Sequence, residues 1–257
     1  MWLRLRQVAL VASELAPVEQ AIADILGLKA CFRDPAVGEF GLHNVLFPLG
    51  NQFLEVVAPT QPGTAAGRYL ERRGGDGGYM VITQCDDHAP RLKRVEDLGV
   101  RIAHQFELDN FLNMQLHPRD TGGAFFEIDQ QLGEGAHERD GPWAPAGEHW
   151  AEYRSTTRVE RIAAVEIQSE RYLEIAERWS EIAEIALEQA QGCLILGLDG
   201  ADIRFNAPVD DRGEGLAGLD IVVNDLAAIQ SSLGERGIPL SGNRFELAGM
   251  RWNLVDS

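Results

Sequence analysis

Apolar and polar positions alternate along this chain in two rhythms, one of period two and one near 3.6. Val8 to Ala12 is a compact apolar run, read as a buried strand. Val18, Ala21, Ile22, Ile25 and Leu26 then recur at the spacing of a helical stripe lying on a sheet, and Gly27 stops it. Ser13 is placed to cap that helix, and Pro17 suits its first turn. A strand near 29–33, a loop through Pro35 and Gly38, and a strand over 42–49 follow. The turn Gly50-Asn51 then folds the chain back into Phe53-Leu54-Glu55-Val56-Val57.

After a Gly- and Thr-rich loop over 58–78 the order repeats. The pattern predicts a strand at 79–83, a helix at 89–98 ended by Gly99, and strands at 101–108 and 111–117. A Gly122-Gly123 turn leads into a closing strand, Phe125-Phe126-Glu127-Ile128-Asp129. From Leu132 to Arg154, six Gly and Pro positions among charged residues mark a linker, with Trp143 and Trp150 predicted to pin it to a surface. Beyond it come a strand at 161–168, a helix at 172–187, and a hairpin of 193–198 with 202–206 around Asp199-Gly200. A strand at 219–223, a helix at 226–235 and strands ending at 250–255 close the chain. This is an α+β chain of four βαβββ modules in two pairs: 1–131, a linker at 132–156, and 157–257.

Strand alternation puts Phe125, Glu127 and Asp129 on one side, and Phe126 and Ile128 on the other. A carboxylate on a shielded face is costly unless a cation or a donor meets it. A polar strand face wet by solvent accounts for Glu127 equally well until its near copy is noticed. Glu55 stands in the same setting in the matching strand, and two such carboxylates suggest a site between two repeats.

Charge narrows the partners. With 40 acidic and 23 basic residues the formal net charge is −17, which disfavours nucleic acid and anionic membranes as partners. Three scattered cysteines, Cys31, Cys85 and Cys193, show no CxxC spacing, so neither a disulfide scaffold nor a cysteine zinc site is expected. No signal-peptide pattern opens the chain and no apolar span approaches about 20 residues. A cytoplasmic protein acting on a small molecule is the expectation. Gly213-Glu214-Gly215-Leu216-Ala217-Gly218 fits GxGxxG but precedes a strand, so it is a coincidence by context.

The repeated module order resembles the vicinal oxygen chelate superfamily, which includes glyoxalase I, methylmalonyl-CoA epimerase, extradiol dioxygenases and bleomycin-resistance proteins. Leu116-His117-Pro118-Arg119-Asp120-Thr121-Gly122-Gly123 with Glu127 is similar to the last module of methylmalonyl-CoA epimerase. Gly41-Leu42-His43-Asn44-Val45-Leu46-Phe47-Pro48-Leu49-Gly50 with Glu55 resembles glyoxalase-like members. The likeness covers 3–131 well and 157–256 by module order alone. It implies cup-shaped mixed sheets, two modules wrapping one divalent metal: Mg, Mn, Zn, Ni or Co. By resemblance the ligands fall on Gln7, Glu55 and Glu127, with the fourth on Met80, or on Tyr79 if the register slips by one. A thioether suits a hard cation poorly, and three oxygens favour Mg or Mn over Zn.

The equivalent positions in the second pair are Ala163, Arg204, Leu219 and Asn253, which form no site. His104 on a strand of the second module could substitute for the missing histidine, though a lone strand histidine is more often structural. His43 and His117 flank strands. The resemblance implies an isomerase, epimerase or lyase in which Glu127, with Glu55 facing it, moves a proton on a small oxygenated metabolite. The alternative is a metal-free binding protein whose cup is walled by Phe53, Met80, Phe125 and His104. A homodimer is the assembly expected.

Overall fold

The computed structural model describes residues 1–190 and 192–256. Fourteen strands and six helices are found among them: β1 Leu3–Val11, α1 Leu15–Leu26, β2 Leu42–Leu49, β3 Gln52–Pro59, α2 Ala65–Arg73, β4 Gly77–Cys85, α3 His88–Asp97, β5 Ile102–Leu108, β6 Phe111–Leu116, α4 Pro118–Thr121 and β7 Phe125–Gln131. The rest are β8 Val159–Gln168, α5 Tyr172–Ala183, β9 Leu187–Ala190, β10 Cys193–Leu198, β11 Ala201–Asn206, β12 Gly215–Val223, α6 Leu226–Glu235, β13 Arg244–Leu247 and β14 Met250–Val255. They build two seven-stranded mixed sheets, in the orders β2-β3-β1-β4-β7-β6-β5 and β13-β14-β12-β8-β11-β10-β9. The α+β module order read from the sequence is therefore the architecture of the chain.

The modules are not equal. The second and third have all three strands after the helix. In the first, the strand expected near 29–33 is reduced to a bridge, with Cys31 N donating to Leu46 O at 2.9 Å and Leu46 N to Phe32 O at 3.0 Å. Pro35 and the 3-10 turn Pro35–Phe40 come too soon for a ladder to extend. The fourth module has the same reduction, a bridge between Ser241 and Arg244.

Three local expectations are corrected by the structure. The loop over 58–78 contains α2, which Thr64 caps by accepting from Gly67 N at 2.9 Å and which Gly74 ends at φ +77°. The helix expected to reach 187 stops at Ala183. Glu184 turns left-handed, Ile185 N returns to Ser180 O, and Leu187–Ala190 pair instead with β10. Ser13 is not the cap of α1. Its hydroxyl donates to Asp76 at 2.8 Å, and α1 begins without a side-chain cap.

By contacts the chain forms two compact units. One gathers 1–8, 79–144 and 164–216, the other 9–78, 145–163 and 217–256. In the first unit α3 and α5 pack together, and Trp179 of α5 stacks on Phe126 of β7 at 4.2 Å. Its indole N–H donates to Thr121 O at 3.2 Å. Gly122 and Gly123, both at φ +72°, permit this approach, since a Cβ would stand 2.9 Å from Ile175 and 2.6 Å from Ile167. In the second unit α1 and α6 pack together, with Arg158 donating to Asp24 O at 2.5 Å and Arg236 to Gln20 O at 3.1 Å.

Candidate functional site

In the first unit the register of four strands decides which side chains stand side by side. Gln115 of β6 is opposite Glu127 of β7 and opposite His104 of β5, while Ile82 of β4 pairs with Glu127 on its other side. One row thus reads His104, Gln115, Glu127, Ile82, with all side chains on one face. Next to it runs a second row, Phe106, Asn113, Asp129, Gln84. Phe125, Glu127 and Asp129 share this face, and Phe126 and Ile128 turn to the helices, as alternation predicts.

Glu127 is recessed but not sealed, at 8% exposure. Beside it the amide of Gln115 points its Nε2 at the sulfur of Met80, 3.6 Å away. Phe125, the register partner of Met80, packs edge-on against Tyr79 at 5.1 Å. His104 is half-buried, tilted against Phe106 at 5.5 Å. Two strand spacings separate it from Glu127, about 10 Å, with Gln115 standing between. Asp129 is fully buried. Asn113 Nδ2 donates to its Oδ1 at 3.0 Å and Met114 N to the same atom at 3.2 Å. Burial, then the negative charge of Glu127, pushes the Asp129 carboxyl well above the usual carboxylate range.

Gln7, on β1, lies against the segment that follows β7. Its Oε1 accepts the indole N–H of Trp143 at 2.9 Å, and Trp143 packs edge-on against Phe111 at 5.2 Å. Arg6 donates to the carbonyls of Arg139 and Gly141 at 2.5 and 2.7 Å, and Arg4 to those of His137 and Glu138. Burial brings the Arg6 guanidinium down to about 9. Residues 132–144 are therefore strapped down by backbone carbonyls, as the two tryptophans led one to expect.

Glu55 and Phe53 belong to the second unit. Asn44 Nδ2 donates to Glu55 Oε1 at 2.7 Å in a buried pair, and Phe53 meets Trp150 edge-on at 5.0 Å. His43 is exposed on β2, and His117 caps α4 by accepting from Arg119 N at 3.2 Å. In the second sheet Arg204 pairs with Glu166, Leu219 is buried, and Asn253 donates to Asp220 at 2.8 Å. An open hollow of about 200 Å³ lies away from Glu127, against Arg119, Asp120, Arg171 and Arg178. Its Arg171 and Arg178 are paired with Glu174, Glu214 and Glu181, so it offers less chemistry than the carboxylate row.

The implied divalent metal can be tested on the donors of the first unit, and they do not fit it. The oxygen of Gln7 that would bind a metal already takes the Trp143 proton. Met80 offers a thioether with an amide on it. Among the described residues no group of three His, Cys, Asp or Glu is gathered for an ion. The sequence reading overlooked Asn113 and Gln115, although polar residues at alternate positions of β6 were the signal, and Gln84 of β4, which no such alternation marked.

No protein-family model matches the sequence, and no curated protein matches it at a significant level. Solved structures do. A mutant of 4-hydroxymandelate synthase from Streptomyces coelicolor has a TM-score of 0.65 at 17% identity, over 91% of this chain and 75% of that one. The Mn(II)-bound glyoxalase from Novosphingobium aromaticivorans gives 0.67 at 12%, over 98% and 81%. A hypothetical protein from Staphylococcus aureus gives 0.68 at 10%, over the whole of both chains. At such identities the likeness establishes architecture. The chain has the fold of the vicinal oxygen chelate superfamily, the glyoxalase/bleomycin-resistance/dioxygenase fold. No helix among the described residues is long and apolar enough to cross a membrane.

Proposed function

We propose that this chain is an isomerase, epimerase or lyase of glyoxalase type, in which Glu127 transfers a proton on a small oxygenated metabolite. The observation that carries the proposal is the recessed, reachable Glu127 carboxylate, flanked by the Gln115 amide and the Met80 thioether. A carboxylate partly withdrawn from water is a better base, because the neutral acid it forms is less disfavoured there. The Gln115 amide can orient a substrate oxygen next to the proton being moved. Glu55 as the second carboxylate is part of the same proposal. So are a small-molecule partner, a homodimer and a cytoplasmic location. The division at 132–156 is supported by the sheets, whose strands fall within 3–131 and 159–255 respectively. The fold is shared with a glyoxalase and with 4-hydroxymandelate synthase, which supports an enzymatic reading.

A second reading is a binding protein without catalysis, favoured by the apolar and aromatic company of Met80, Phe125 and His104 on the same sheet. Solvent deuterium exchange separates the two. A panel of small 2-oxo acids, hydroxy ketones and acyl thioesters is incubated in D2O and followed by proton NMR. The proposal expects exchange at the carbon beside a carbonyl for at least one compound, and its loss in Glu127→Gln. Exchange that survives Glu127→Gln removes Glu127 as the base. Compounds that raise the unfolding temperature without exchanging favour the binding reading.

A further inference from the structure

Two seven-stranded sheets have four edges between them, and among the described residues three of these are bridged or short. Strand β2 is bridged on its outer side at Leu46 by Cys31 and Phe32, and β9 and β13 are four residues each. The fourth edge, β5, runs for seven residues, and β6 is the strand it pairs with. Residues 105–108 on it are all exposed, Phe106 at 39% and Leu108 at 52%. The free N–H and C=O groups of an edge invite another strand, so edges are usually blunted by Lys, Pro, a bulge or brevity. Strand β5 has neither Lys nor Pro. Its one interruption is a shift of register between Ile102 and His104, and beyond it His104 to Leu108 pair with β6 without a break.

This open ladder is complementary to itself. Two identical strands paired antiparallel lie about a two-fold axis, so the contact closes on itself instead of growing. The midpoint of 104–108 is Phe106. Centring the axis there sets Phe106 against its own copy and His104 against Leu108 of the second copy, on the face that carries Glu127. On the other face Gln105 meets Glu107 of the second copy. Aromatic and apolar groups are then opposed, and each carboxylate faces an amide. An axis at Glu107 would oppose two carboxylates, which is destabilising, and one at Gln105 would carry the pairing into the bulge.

We propose that two copies of this chain pair through β5, antiparallel and centred on Phe106. This gives a surface to the homodimer of the functional reading above, and it rests on that part of the reading. The pairing places Leu108 of the second copy next to His104, so the row of His104, Gln115 and Glu127 is continued by the partner. Five residues a side fall well below the roughly 20–30 of a standard interface, which puts the dimer in the micromolar range or weaker. Each copy carries a formal charge of −17, so the copies repel and added salt tightens the pair.

The test uses the full chain in sedimentation velocity, over a range of protein concentration at low and at high sodium chloride. A dimer should grow with concentration and with salt, and Phe106→Lys should weaken it at least tenfold. Because that variant can disturb the ring contacts of Phe106, cross-linking supplies an independent reading. Phe106→Cys, directly opposite its own copy, has Cβ atoms about 4.5–5.5 Å apart and should form a disulfide-linked dimer under mild oxidation. Leu108→Cys lies about 13 Å along the strand from its copy and should not, and the wild type controls for Cys31, Cys85 and Cys193. A dimer that ignores Phe106→Lys, or that cross-links as readily through Leu108→Cys, overturns the surface and leaves the homodimer standing. A monomer at every concentration and salt overturns both. Species that grow beyond the dimer show an open-ended contact and overturn the two-fold pairing.

Discussion

The bond between Trp143 Nε1 and Gln7 Oε1 can be measured as a coupling. Trp143→Phe keeps an aromatic ring but removes the N–H, so Gln7 Oε1 loses a buried donor, costing about 1–3 kcal/mol. The edge contact with Phe111 at 5.2 Å changes too, worth about 0.5–1.5 kcal/mol, for a total of about 1.5–4.5. Gln7→Met keeps the length of the side chain and leaves the indole N–H without this acceptor, again about 1–3 kcal/mol. The double variant removes both partners at once, so the bond is lost only once. Its destabilisation should therefore fall short of the sum of the singles by about 1–2 kcal/mol. Urea unfolding of the four proteins, read as shifts in midpoint at a shared slope, supplies the cycle. Additivity within about 0.5 kcal/mol would refute a direct bond between the two side chains. A companion titration bears on the metal. If the Gln7 oxygen is taken by Trp143, Mn²⁺ should bind Gln7→Met no more weakly than the wild type. Clear weakening in the variant would make that oxygen a ligand after all.

The remaining predictions concern stability. Gly249 has φ +67°, and a Cβ there would stand 1.8 Å from the carbonyl oxygen of Asp76, whereas Gly237 at φ +65° faces open space. Gly237→Ala should cost about 1–2 kcal/mol from the left-handed backbone alone. Gly249→Ala should cost well over that, because backbone must move, and equal midpoints for the two variants would contradict this contact. His88 is buried, and burial lowers its pKa from the ordinary histidine value, with Asp87 and Glu107 opposing the shift. The unfolded chain therefore binds this proton more readily than the folded one. The stability contributed by neutral His88 is present above about pH 6.5 and is lost as pH falls through the lowered folded value. Denaturation midpoints should drop on acidification, and the drop should be smaller in His88→Gln. An unchanged pH profile in that variant would remove His88 from the explanation.

Local patterns were enough to place much of this chain. Val18, Ala21, Ile22, Ile25 and Leu26 fall on one face of α1, and all are buried, because a stripe at helical spacing has nowhere else to go once it meets a sheet. The strand period likewise set the face of Glu127, since sequence position alone determines which side of a strand a residue takes. Where the local signal was thin, the reading failed. Helix α2 buries little beyond Ala66 and Leu70, so only Thr64 and Gly74 announced it. The end of α5 was settled by competition, since β10 offered Leu187–Ala190 a strand partner that periodicity does not record.

The site depended still more on long-range contacts. Nothing near Gln7 says that its oxygen is met by an indole 136 residues away. Nothing near Asp129 says that Asn113 and Gln84 will flank it. Those neighbours are chosen by strand order and register, which bring together side chains far apart in sequence. A carboxylate's chemistry then follows from what surrounds it once water is gone, and the tertiary structure alone decides that.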